Sequence, residues 1–231
     1  MDNSNIEGYC TPDERRLLGE TLACRTASFW LKRSPDILDC LFTAPKLEIE
    51  KIRLDHMKLS TVQCEGLGRL IPRCCPLKCL HFFYIHLEGP QMLVEPISNA
   101  IHLQKLLIRG ESVDDGSWRN AVHDSVPRLL QNPQNQLQKL ELVGISLGDR
   151  RFMAIVEQLP TSRLAFLDLS YNRIEFEGIM AFAAQLPRIK SLKEVDFWRN
   201  HFYHYSRPGE YEIHMAALVQ GMLENYSIES L

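Results

Sequence analysis

The sequence predicts an α/β repeat protein in which units of one strand and one helix stack side by side, closed at the N-terminal end by a helical segment. Three observations carry that reading. An eleven-residue pattern of aliphatic positions recurs in one register from Ile49 onward. Helix-type apolar stripes fill intervals between its copies. The first 46 residues lack the pattern but carry two helix-start signals.

The pattern is clearest in "LAFLDLSYNRI", with Leu164, Leu167, Leu169, Asn172 and Ile174 at fixed places. The next copy, "LKEVDFWRNHF", begins 28 residues on and supplies Leu192, Val195, Phe197, Asn200 and Phe202. Upstream copies are "LQKLELVGISL" from Leu137, "LQKLLIRGESV" from Leu103, "LKCLHFFYIHL" from Leu77 and "IEKIRLDHMKL" from Ile49. Six copies in one register mark a repeat protein, in which neither strand nor helix can bury its apolar side alone and stacking buries both. These residues resemble the leucine-rich repeat family, specifically its long-repeat class similar to ribonuclease inhibitor. The resemblance covers Ile49 to the C-terminus. It implies a right-handed solenoid, a horseshoe with a parallel β-sheet on the concave side and helices on the convex side. One departure stands out: the place that favours Asn holds Met57, Ile85, Glu111 and Ile145 before Asn172 and Asn200. In the family that Asn satisfies backbone groups where the chain leaves the strand, so the early turns must satisfy theirs differently. They are expected to be less regular.

Helical stripes follow the strands. Phe152, Ile155, Val156 and Leu159 lie at i, i+3, i+4 and i+7, as do Ile179, Phe182, Ala183 and Leu186, and then Met215, Leu218, Val219 and Met222. Two units are longer. The interval from Leu103 to Leu137 contains Pro127, expected to kink or divide its helix. "NHFYHYSRPGEYE" adds a loop with Pro208-Gly209 before the last helix. At the N-terminus, Thr11-Pro12-Asp13-Glu14 is a capping-box helix start, and Ser34-Pro35-Asp36 is a second one followed by Ile37, Leu38, Leu41 and Phe42. The expected organisation is therefore a helical capping segment over 1–46 and a repeat domain over 47–231, about six repeats plus a truncated seventh strand begun by Ile228 and Leu231. We expect the chain to be a fragment of a longer protein.

Composition narrows the function classes. Hydrophobic content of 45% and charged content of 24% are those of a folded globular chain. A formal charge of −3 argues against a nucleic-acid-binding surface over the whole molecule. No secretory-signal layout opens the chain and no apolar run approaches the roughly 18 residues of a membrane span, so a cytoplasmic or nuclear protein without a membrane partner is expected. The seven cysteines, all at or before Cys79, are expected to be reduced thiols. Cys64, Cys74, Cys75, Cys79 and His81 invite a zinc reading, but adjacent Cys74-Cys75 is poor chelating geometry, and small buried thiols are the favoured account. His201, His204 and Tyr205 read as surface residues. The Gly66-Leu67-Gly68 stretch lacks the strand-then-glycine context of a dinucleotide site, and no P-loop, H-E-x-x-H or nucleophile-elbow motif is present. We expect no catalysis, metal or cofactor.

Side chains alternate along a strand, so residues between the fixed leucines point away from the core. The place before the third leucine reads Arg53, His81, Leu107, Glu141, Asp168 and Asp196. The place after it reads Asp55, Phe83, Arg109, Val143, Ser170 and Trp198, and one further reads His56, Tyr84, Gly110, Gly144, Tyr171 and Arg199. The resemblance puts these on the concave sheet. Trp, Tyr and Arg are enriched in binding hot spots. The expected partner-binding residues are Asp168, Tyr171, Arg173, Asp196, Trp198 and Arg199, with Phe83 and Tyr84 further along. The competing account has solvated face residues, with Trp198 covered by the long loop after Asn200. The expected function is a protein-interaction scaffold, a monomer that binds another protein. The alternatives are a regulatory or sensing repeat region of a larger protein, like those of nucleotide-binding immune receptors, a GTPase-activating repeat protein, or a ubiquitin-ligase substrate adaptor.

Overall fold

The computed structural model describes residues 5–6, 28–33, 48–74, 77–110, 117–201 and 210–230. They form an α/β architecture built on a single parallel sheet whose eight strands lie in chain order. The strands are β1 (Asn5–Ile6), β2 (Ser28–Lys32), β3 (Lys51–Leu59), β4 (Cys79–Leu87), β5 (Lys105–Arg109), β6 (Lys139–Val143), β7 (Phe166–Asp168) and β8 (Glu194–Asp196). Between them run α1 (Thr61–Leu70), α2 (Val94–Ser98), α3 (Ser117–Gln131), α4 (Gly148–Val156) and α5 (Phe176–Gln185), with α6 (Glu210–Leu223) after β8. A parallel sheet in strict chain order, alternating with helices, is compatible with an α/β solenoid.

The repeat pattern gives the register directly. Ile52 pairs with Leu80, Leu80 with Leu106, Leu106 with Leu140, Leu140 with Leu167, and Leu167 with Val195. These residues and the third-place Leu54, Phe82, Ile108, Leu142, Leu169 and Phe197 all join one core with the helix stripes. Fully burying one such side chain contributes roughly 1.5–3 kcal/mol, and the continuous row repeats that gain at every strand. Phe152, Phe182 and Phe197 interlock across three successive units, with ring centroids 5.3–6.1 Å apart.

Local chemistry sets the helix ends. Ser60 and Gln63 form a reciprocal capping box at α1: the Ser60 N–H donates to Gln63 Oε1 at 3.1 Å and the Gln63 N–H to Ser60 Oγ at 3.3 Å. Short 3₁₀ turns at Ile71–Arg73, Leu159–Thr161 and Leu186–Arg188 each carry proline in second place, which cannot continue the helical ladder. The last stripe is only partly inward: Leu218 is buried and Met215 and Met222 pack against the core, whereas Val219 faces solvent.

Three expectations are corrected. Strands β1 and β2 lie within the segment expected to be a helical cap: Leu31 of β2 is buried and pairs with Leu54, so the sheet begins before the first recognised repeat. The two helix starts at Thr11 and Ser34 lie outside the described residues. Pro127 does not divide its helix, which runs unbroken over fifteen residues because Trp118, Ala121, Val122, Val126, Leu129 and Leu130 anchor one side of it in the core. The early units are not the irregular ones either, since β3 and β4 are nine residues each while β7 and β8 are three. After α6 an isolated parallel bridge joins Ser230 to Glu194. No helix of the described residues is long and apolar enough to cross a membrane.

Candidate functional site

The sheet face turned away from the helices carries the candidate site, and the register sets its layout. One row across the strands reads Lys51, Cys79, Lys105, Lys139, Phe166 and Glu194. The next reads Trp30, Arg53, His81, Leu107, Glu141, Asp168 and Asp196. A third runs Lys32, Asp55, Phe83, Arg109 and Val143, with Ser170 and Trp198 at the equivalent places beyond β7 and β8.

Just past the third row the chain turns. Arg33, His56, Tyr84, Gly144, Tyr171 and Arg199 hold the equivalent position, and all six have φ between 50° and 64°. Left-handed backbone costs a non-glycine residue on the order of 1 kcal/mol. Five side-chain-bearing residues therefore sit where glycine would be easier, two of them tyrosines. Gly110 holds the equivalent place after β5 for a different reason. A Cβ on it would lie 2.2 Å from the Gly144 carbonyl oxygen, so the two units approach too closely there for any side chain.

The expected site residues fall into three groups. Tyr171, Trp198 and Tyr84 are exposed at 41%, 63% and 37%, and Arg173, Arg199 and Asp196 are exposed too. Trp198 is thus an open surface residue. The Tyr171 N–H donates to the Trp198 carbonyl at 2.9 Å, tying the two positions together, and the Arg199 guanidinium lies 5.7 Å from the Trp198 ring. Asp168 belongs to a second group. It is 8% exposed, and its Oδ1 accepts from the Ser170 N–H at 3.0 Å and the Ser170 hydroxyl at 2.6 Å, so it shapes the turn. Asp196 does the same for the Trp198 N–H at 2.7 Å while remaining exposed, so it shapes the turn that presents Trp198. Phe83 stands apart, half-buried between two guanidinium groups, with Arg53 4.6 Å and Arg109 5.6 Å from its ring.

Around Phe83 lies a network that a reading of the aromatics and aspartates alone passes over. Arg53 also stacks on Trp30 at 4.8 Å and pairs with Asp55 at 3.1 Å. Arg109 donates from Nε and Nη2 to Glu141 Oε2 at 3.0 and 2.7 Å. Lys139 pairs with Glu141 Oε1 at 2.9 Å and lies 3.9 Å from the Phe166 ring. Cation–ring contacts, joined through the Glu141 carboxylate, thus link β2 to β7. The available signal was cross-strand complementarity, since Arg109 and Glu141 are near-opposite places of neighbouring copies. Burial pushes the Glu141 carboxyl up, but hydrogen bonds from Arg109 and Lys139 outweigh it and hold the pKa below the ordinary value. His81 lies among the cations, only 9% exposed. Burial, with Lys51, Arg53 and Lys105 repelling a further positive charge, lowers its pKa to about 4 against the opposing pull of Glu141. The ring is neutral at physiological pH.

Two nearby cysteines, Cys64 and Cys74, hold their thiols inside, while Cys79 is half-buried on the outward face. Burial raises the Cys64 thiol pKa and pushes that of Cys74 up to about 12, which keeps both protonated. Among the described residues there is no group of three His, Cys, Asp or Glu side chains that could hold a metal ion. Cys75, His204 and Tyr205 lie outside them. The chain matches no protein-family model and no curated protein.

Proposed function

We propose that this chain is a leucine-rich repeat protein of the long-repeat, ribonuclease-inhibitor-like class, acting in the cytoplasm as a monomeric interaction scaffold. It grips another protein with the concave face of its sheet and catalyses nothing. The observation that carries this reading is the set of exposed tyrosines, tryptophan and arginines at the strand exits, Tyr84, Tyr171, Trp198 and Arg199. Three of the four occupy left-handed backbone that a glycine would relieve. Side chains kept at a backbone cost on an exposed face are more readily explained by contact with a partner than by folding. A sheet fastened strand by strand also presents them already ordered, so little conformational entropy is lost on association.

The test is affinity capture with the chain as bait, followed by cross-link mapping. A partner is expected to cross-link to the strand exits of β7 and β8, and Trp198→Ala with Tyr171→Gly should weaken it at least tenfold while both variants melt with the parent. A partner whose cross-links map to the helical side, or whose binding ignores both substitutions, would overturn the reading.

A further inference from the structure

The outward face is divided by charge. Over β3 to β6 its rows carry Lys51, Arg53, Lys105, Arg109 and Lys139 against the carboxylates of Asp55 and Glu141. Over β7 and β8 they carry Asp168, Glu194 and Asp196. A surplus of positive charge thus occupies one stretch of a molecule whose formal charge is −3.

Within that stretch the cations differ. Arg53 is matched to Asp55, and Arg109 and Lys139 to Glu141. Lys51 and Lys105 make no ion pair among the described residues. They flank Cys79 in the register, and with neighbouring strands about 4.8 Å apart their backbones lie roughly 10 Å from each other. In the next row of the same face lies His81, whose buried Nε2 has no hydrogen-bond partner among the described residues, beside Arg53, whose buried Nε has none among them either. Lysines held on a rigid sheet around an imidazole kept neutral form a positive site without its counter-charge.

We propose that the basic face over β3–β6 receives an acidic segment of the protein partner, whose carboxylates pair with Lys51 and Lys105. The inference rests on the reading of this face as a protein-binding surface and supplies the chemistry of what binds there. A polypeptide fits better than a nucleic acid. The basic stretch is only four strands wide, about 15 Å between its outer strands. Asp55 and Glu141 interrupt it and Asp168, Glu194 and Asp196 border it, so a uniformly charged phosphate backbone would be repelled on leaving it. A protein surface can be acidic over β3–β6 and basic over β7–β8, matching both parts.

The experiment uses the full chain with a short labelled all-glutamate peptide, an all-lysine peptide of equal length and a single-stranded oligonucleotide of matching charge. Fluorescence anisotropy reads affinity at low and moderate salt, and NMR follows the His81 ring. The glutamate peptide should bind, salt-sensitively, in a manner that needs Lys51 and Lys105, and any lysine-peptide binding, to the acidic β7–β8 stretch, should not need them. Joint Lys51→Gln and Lys105→Gln substitution should weaken it about tenfold with an unchanged melting temperature, as two charge-assisted contacts are lost, whereas Lys190→Gln should leave it unaltered. Bound carboxylates should raise the His81 pKa by offsetting the lysine charges. Binding indifferent to the two lysines, or tighter to the oligonucleotide than to the peptide, would overturn the assignment. The two readings fail separately. A captured partner that depends on Tyr171 and Trp198 but ignores excess glutamate peptide removes the acidic segment and leaves the scaffold. Lysine-dependent peptide binding with no such partner keeps the anion site and removes the scaffold reading.

Discussion

The β3–β4 and β7–β8 regions meet one backbone demand in opposite ways. In both, the chain leaves the third core position through a left-handed residue, His56 and Tyr84 in the first, Tyr171 and Arg199 in the second. In the first, pairing resumes after the turn, with Met57 opposite Ile85, Lys58 opposite His86 and Leu59 opposite Leu87. The peptide groups satisfy one another, and the apolar side chains are free to pack. In the second, the strands stop and an amide side chain takes over. Asn172 Oδ1 accepts from the N–H groups of Ile145 and Leu147 at 3.1 and 3.3 Å, while its Nδ2 donates to the carbonyls of Leu142 and Leu169. Asn200 repeats this one unit on, accepting from Asn172 and Ile174 at 3.1 and 2.9 Å. Buried peptide groups demand partners, but the fold does not prescribe whether backbone or side chain provides them.

The comparison breaks most visibly at the asparagines. Asn172→Leu should cost about 3–5 kcal/mol, because it strands several buried peptide groups at once, each worth roughly 1–3 kcal/mol when unsatisfied. The reciprocal change, Ile85→Asn, should also destabilise by about 3 kcal/mol, since the ladder already satisfies the backbone and the new amide would be buried without partners. Chemical denaturation of both variants checks this. A nearly neutral Ile85→Asn would show that the two regions use interchangeable solutions. Between them, Gly110→Ala should cost about 2–3 kcal/mol by driving a methyl group into the Gly144 carbonyl.

The regions should also part company in acid. His81, in the first, keeps its proton off until about pH 4 in the folded chain, while the unfolded chain binds it near 6.5. Over that window the unfolded state holds more protons, so stability falls as pH falls, by about 3 kcal/mol at most. Glu141 acts the same way but only lower, below the ordinary carboxyl value of 4.5, as protonation releases Arg109 and Lys139. Melting from pH 7 to 4 should therefore decline early in the parent and later in His81→Phe. An unchanged profile would mean that the imidazole is not held neutral.

Much of the architecture was legible because period and register are the same information. Once Leu80, Leu106, Leu140 and Leu167 are aligned as equivalent, they must pair, and they do. The long strands were legible as well: in His56-Met57-Lys58-Leu59 and Tyr84-Ile85-His86-Leu87 exposed and buried residues alternate, the period of a continuing strand. Strand β2 is hidden in the sequence because Ser28–Lys32 holds only two of the fixed places, Phe29 and Leu31, and the flanking ones carry Thr26 and Ser34. Site chemistry was legible by type but not by role. Asp168 and Trp198 both look like face residues, yet the aspartate turns inward to its own backbone while the indole stands open, a difference of rotamer that spacing does not encode.

The smallest effect discriminates best between a folding and a binding role for the turn residues. Tyr171→Gly removes the left-handed penalty but restores unfolded-chain entropy, so stability should hold or rise by up to about 1 kcal/mol. Tyr84→Gly gains the same relief and loses the His56 ring packed 4.7 Å away, so its change should be less favourable by a few tenths of a kcal/mol. Paired thermal melts measure the difference. Should Tyr171→Gly instead lower stability by more than about 1 kcal/mol, the tyrosine is part of what holds the turn together, and its exposure carries no argument for a partner. If it melts with the parent or above it, the residue is retained for something other than folding, and the β7–β8 exits are where to look for it.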